Sequence, residues 1–164
     1  MKSVGVLVNS ADLVPFPSAQ NVQTYRFNGK KVKEYLMDLK KNDHPTGVAG
    51  TVKFTDQTCL GFATAFLVSP SNIVSAGHAV WKDQPLLAPD IDFRNVDDIK
   101  KIRFILDWQM EWNNGTLQEP QSISPRQIYE IDRYVLTTIY EGVLFSFGCY
   151  LRINQLRLLP TNLT

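Results

Sequence analysis

Histidine is almost missing from this chain of 164 residues: His44 and His78 are the only two. Neither stands at a spacing that would let it share a metal ion with Cys59 or Cys149, so no metal centre and no cofactor are expected. Cysteine is as scarce. Two cysteines 90 positions apart can pair, but they cannot make the disulfide framework on which small secreted domains depend. Both are expected as free, mostly buried thiols. An excess of either charge is missing too. Seventeen basic side chains face sixteen acidic ones, for a net charge of +1, which gives no reason to expect a nucleic acid or an anionic membrane as partner. No stretch approaches the roughly 18 apolar residues of a membrane span. The apolar run at 4–8 is broken by Asn9, Ser10 and Asp12 before it reaches the roughly 7–15 residues of a signal-peptide core. A soluble chain with no visible export address is the expectation. The last absence is local: no aspartate or glutamate occurs from 142 to 164.

What is present is ordinary globular composition, 44% apolar and 20% charged, at a length that allows one domain or one and a fraction. Residues 1–27, with Pro15 and Pro17, read as an irregular, partly extended leader. Val32, Tyr35, Leu36 and Leu39 then fall at i, i+3, i+4 and i+7 and predict a short amphipathic helix over 30–41. Its lysines form the solvated face, and residues 42–47 end it with turn chemistry. From residue 48 the texture changes to short alternating segments. Strands are expected at 50–54, 63–68, 73–75, 101–108 and 128–136, with turns at 69–72 and at Asn113-Asn114-Gly115 and a surface loop near Pro85 and Pro89. Many short strands split by turns argue for an all-β barrel or sandwich behind a helical leader.

The most informative segment is 61–80, Gly-Phe-Ala-Thr-Ala-Phe-Leu-Val-Ser-Pro-Ser-Asn-Ile-Val-Ser-Ala-Gly-His-Ala-Val. A strand that opens on small residues and runs Ala65-Phe66-Leu67-Val68-Ser69-Pro70, a turn, a β-branched strand at Asn72-Ile73-Val74 and Ser75-Ala76-Gly77-His78 follow one another. In residue type and spacing this resembles the trypsin-like serine peptidases, above all the bacterial branch that includes the glutamyl endopeptidases. Weaker likeness at 101–110 and 128–136 extends the resemblance over roughly 90 of the 164 residues. It implies a mainly β fold: the first six-stranded barrel of a two-barrel architecture, preceded by a short helix and followed by an incomplete second half. It also places His78 at the general-base position. Imidazole, with an unperturbed pKa of roughly 6.5, takes and returns a proton near neutral pH, and a hairpin ending in small residues holds it rigidly at a barrel edge. Ala79 stands where many animal relatives carry a cysteine, in keeping with the bacterial branch.

The other two triad groups do not follow. The stretch matching the aspartate motif is 140–147, where Val143 or Leu144 occupies the aspartate's place. Asp132 is the nearest substitute and Glu141 another, although Asp132 alternates within a strand and reads first as a surface residue; Asp83 and Asp107 have no motif around them. No Gly-Asp-Ser-Gly string is present, and Ser146, flanked by Phe145 and Phe147, cannot build the backbone nest that holds an oxyanion. A second barrel would need about 80–100 further residues. The expected organisation is therefore a leader at 1–47, a partial barrel at 48–141 and an atypical tail at 142–164. That tail reads either as the product of an interrupted gene or as part of a genuine one-barrel chain. Two functions follow: a truncated or degenerate serine-endopeptidase relative, inactive as this chain, whose intact form would cleave peptide or protein substrates; or a non-catalytic barrel that binds peptides. In either, the apolar barrel face left by a missing second half invites self-association.

Overall fold

The computed structural model describes residues 3–17, 23–41, 54–59, 61–76, 95–120, 122–138 and 148–155. Its elements in chain order are β1 (Val4–Asn9), β2 (Leu13–Pro17), β3 (Gln23–Phe27), α1 (Val32–Lys41), β4 (Ala63–Ser69), β5 (Asn72–Ala76), α2 (Val96–Ile99), β6 (Ile102–Leu106), β7 (Glu111–Asn113), β8 (Thr116–Gln118), β9 (Ile128–Thr138) and β10 (Gly148–Gln155). Six of these strands close into one barrel in the order β1-β4-β5-β10-β9-β6, with β6 returning to β1. Every neighbouring pair is antiparallel. Strands β1, β4 and β5 are consecutive staves, and β6 returns after a long connection to lie beside β1, which is a Greek key. A mainly β fold with a six-stranded antiparallel barrel is thus what the chain forms; the alternating segments led one to expect a barrel or sandwich, and the family resemblance its six strands.

Alternation explains which way each side chain points. In β6, Ile102 and Phe104 turn into the barrel, while Ile105 faces out; in β1, Leu7 is inside and Val8 outside. The interior is filled by Leu7, Ala65, Ile73, Ile102, Phe104, Ile131, Leu151 and Ile153, with Ile99 of α2 joining them. Phe104 meets Tyr129 with ring centroids 6.0 Å apart, within the range in which tilted aromatic pairs attract. Gly5 is needed where β1 crosses this filling: a Cβ there would overlap the Ile105 carbonyl oxygen and the Phe104 ring.

Outside the barrel, β2 and β3 pair as a hairpin and lean on the outer face of β1 and β6. Val8, Ile105, Ile123 and Ile128 form a second buried cluster there, sealed by Leu13, Tyr25 and Phe27. Tyr25 and Ile123 exchange backbone hydrogen bonds of 3.0 and 2.6 Å, which ties the hairpin to the segment before β9. Two prolines in β2 fit a strand that has a neighbour on one side only. The turn read at 113–115 is the tip of the β7–β8 hairpin, where Asn114 and Gly115 both take positive φ, as a two-residue type I′ turn requires.

The expected helix at 30–41 is α1. Of the strand expected at 50–54, residues 50–53 lie outside the described residues, and Phe54 opens a turn with φ 66°. The barrel reaches beyond the interval 48–141. β1 comes from the segment read as leader and β10 from the segment read as tail. The reason is length: six residues in β1 and eight in β10 carry too little periodicity to stand out beside prolines or in an unusual tail. β10 nonetheless keeps step with the barrel, with Leu151 and Ile153 buried and Arg152 and Asn154 exposed.

Candidate functional site

The β4–β5 hairpin is built as the sequence led one to expect. Ala65 faces Ser75, Phe66 faces Val74 and Leu67 faces Ile73, with an irregularity before Ser69. Asn72 Nδ2 donates to Ser69 Oγ at 2.7 Å and the Ser71 N–H reaches the same oxygen at 3.4 Å, which closes the turn. At the other end Ser75, buried in the wall, donates its hydroxyl to the Thr64 carbonyl at 2.8 Å. That bond locks the end of β5 to β4. Ala76 ends β5, paired with Gly148 of β10. His78 follows two residues later and lies outside the described residues, as do His44, Asp83, Glu141 and Ser146.

Asp132 is described, on β9. The β9–β10 ladder pairs Arg133 with Arg152 and Ile131 with Ile153, so Asp132 is the residue skipped at a bulge. Its side chain is 40% exposed and its carboxylate is 3.7 Å from Arg152 Nε. Arg152 in turn pairs with Asn72, at the start of β5. Ala76 is four residues further along that strand, about 13 Å at roughly 3.3 Å per residue. The ladder therefore sets Asp132 at the opposite end of β5 from Ala76.

A concave site lies beside β1 and β4: a cleft of about 730 Å³ lined by Ser3–Val6, Gly61–Thr64 and Asp107–Gln109. Its volume is in the range of small-ligand pockets. Thr64 is one ladder step from Ala65 and so stands level with Ala76 across the hairpin. Gly61, at φ +90°, shapes the cleft: a Cβ would overlap the Leu7 carbonyl oxygen, and the conformation itself suits glycine. Asp107 leaves β6 at φ 60°, a region that Asp and Asn enter more readily than most residues. Its N–H donates to the Val4 carbonyl at 3.1 Å and its own carbonyl accepts from Gln127 Nε2 at 3.4 Å, so the turn is fastened to both neighbouring segments. The buried indole N–H of Trp108 has no acceptor among the described residues. Sequence reasoning passed over Asp107 for want of a motif. The available signal was Asp-Trp at the end of an alternating strand, which is too short to separate a site from a turn.

A polar cluster outside the cleft explains how α1 is held. The Glu119 carboxylate accepts from both the backbone N–H and the hydroxyl of Thr58, and Lys31 Nζ lies 2.9 Å from that hydroxyl and 3.5 Å from the carboxylate. Burial pushes the Glu119 carboxyl up, but the Thr58 hydrogen bonds and Lys31 outweigh it and hold the group below the usual range. Cys59, next in the chain, is a free thiol whose burial pushes its pKa up, the opposite of what an activated nucleophile needs. Comparison with family models, with curated proteins and with solved structures finds no match for this chain.

Proposed function

We propose that this chain is a truncated or degenerate relative of a trypsin-like serine endopeptidase, with His78 in the general-base position and no hydrolytic activity of its own. The observation that carries the reading is the closed six-stranded antiparallel barrel in which the β4–β5 hairpin runs directly into Ser75-Ala76-Gly77-His78. In an intact relative a serine attacks the peptide carbonyl, His78 takes its proton and returns it to the leaving amine, and an aspartate fixes the imidazole tautomer. These 164 residues hold no motif for the serine or for its oxyanion nest. Incubation with an active-serine phosphonate and with ester substrates is expected to give no adduct and no turnover. Stoichiometric labelling of any serine contradicts the reading. Genomic sequence around codons 140–164, translated in all three frames, tests its ancestry: an aspartate motif followed by Gly-Asp-Ser-Gly in another frame supports an interrupted peptidase.

The cleft favours a second reading, a barrel that binds peptides without cleaving them. It has the size and the mixture of apolar wall and few polar groups that ligand sites share. Saturable peptide binding without turnover separates this reading from the first.

A further inference from the structure

We infer that Asn114 is a site of spontaneous covalent modification, where the chain converts its own amide to an acid through a cyclic imide and generates an isoaspartyl linkage. Asparagine precedes glycine twice in the sequence, at Asn28-Gly29 and at Asn114-Gly115. In both pairs the glycine carries no Cβ to hinder its backbone nitrogen, so the sequence alone ranks them equally. The structure separates them. Asn28 donates its N–H to the Asp12 carbonyl at 2.7 Å, and a Cβ on Gly29 would overlap the Phe27 ring and the Cys59 carbonyl oxygen. That backbone is held in a packed corner. Around Gly115 nothing lies within 4 Å of the corresponding point. Asn114 is exposed, and no described residue holds its side-chain amide. β7 and β8 form a two-stranded sheet of their own, three residues to a strand, and none of their described residues belongs to either buried cluster. A lone hairpin of that size is marginal in water, so its turn opens at little cost and samples the conformations the reaction needs.

In the open turn the Gly115 nitrogen attacks the side-chain carbonyl carbon of Asn114. A C–N bond forms, the Cγ–Nδ2 bond breaks, and ammonia leaves with the proton that the glycine nitrogen gives up. Water then opens the imide at one carbonyl or the other, and no electrons are gained or lost. One opening gives aspartate, which suits a type I′ turn as asparagine does. The other routes the main chain through the former side chain and lengthens it by a methylene. A two-residue turn cannot absorb that, so the pairing of Asn113 with Thr116 and of Trp112 with Leu117 is lost. The hairpin therefore changes shape as the chain ages.

The test is timed incubation of the whole chain at mildly alkaline pH, read by peptide mapping for the mass gain of an amide turned acid. Labelling with a protein isoaspartyl methyltransferase reports the rearranged product. Asn114 is expected to convert about tenfold or more faster than Asn28, the ratio that about 1.4 kcal/mol of extra opening cost at Gly29 gives. In strong urea, where the fold is lost, the two sites are expected to convert at nearly equal rates. Equal rates in the folded chain, or faster conversion at Asn28, overturn the inference. A preference for Asn114 that persists in urea assigns it to local sequence rather than to the fold, with the same consequence. So does a folded-state rate at Asn114 more than about tenfold below its rate in urea, which would mean that the turn protects the amide.

Discussion

Two quarters of the same barrel wall are built alike and finished differently. On β1 and β6, outward-facing Val8 and Ile105 are buried because the β2–β3 hairpin and Ile123 cover them. On the start of β1 and on β4, the outward-facing Val4, Phe66 and Val68 are 56%, 45% and 54% exposed. Val4 and Phe66 are direct cross-strand partners, so they form one continuous apolar surface. Strand alternation alone would put apolar residues outside in both places; what differs is whether another element reaches them. The covered quarter behaves as core on both faces. The open quarter adjoins the cleft, which Val4 helps to line.

The comparison can be broken by substitution. Phe104→Ala empties the barrel interior beneath both quarters and should cost about 3–5 kcal/mol in urea unfolding. A cost below about 1 kcal/mol would mean the barrel is not packed as described. The outward pair comes next. Ile105→Ala, on the covered side, should cost about 2–4 kcal/mol. Phe66→Ala, on the open side, should cost less than about 1 kcal/mol in the monomer and should weaken any concentration-dependent association seen by sedimentation. Equal costs at the two positions would show that the open quarter is covered after all.

The smallest effect concerns the attachment of α1. Glu119 has a folded pKa below its unfolded value, so its contribution is present above the ordinary glutamate range of about 4.3 and is lost as pH falls through the depressed folded value. Because the group is partly solvated and screened, that contribution is below about 1 kcal/mol. Glu119→Gln should flatten the acid limb of the stability profile and leave neutral-pH unfolding little changed. A steeper acid limb in E119Q would assign the cluster another role.

Much of the architecture could be read from the residues, and the failures have physical causes. The β4–β5 hairpin was legible because Ser69-Pro70-Ser71-Asn72 punctuates two alternating strands, and the Asn-Gly turn because few other pairs accept positive φ twice. α1 was legible from its four-point stripe. β1 was hidden because its six residues run into Asn9 and then the two prolines of β2, which together look like leader. β10 was hidden because Gly148, Cys149 and Tyr150 open it without a strand signature, and only Leu151 and Ile153 alternate. The site divides in the same way. The expectation for His78 rests on about twenty contiguous positions, a local signal, whereas the cleft at Asp107 depends on β1, β4 and the end of β6 meeting in space, which no local pattern carries. Asp132 shows the reverse hazard: it is near the missing motif in sequence but stands by Arg152 and the start of β5 in the fold.

The most direct test of the central claim is the position of the His78 imidazole in solution, read from nuclear Overhauser contacts of its ring protons. Contacts to Phe62 or Thr64 at the cleft rim are the result expected of a general-base position at the end of β5. Contacts to Ile73 or Leu151 would put the ring inside the barrel, where it could serve no substrate, and would contradict the peptidase reading.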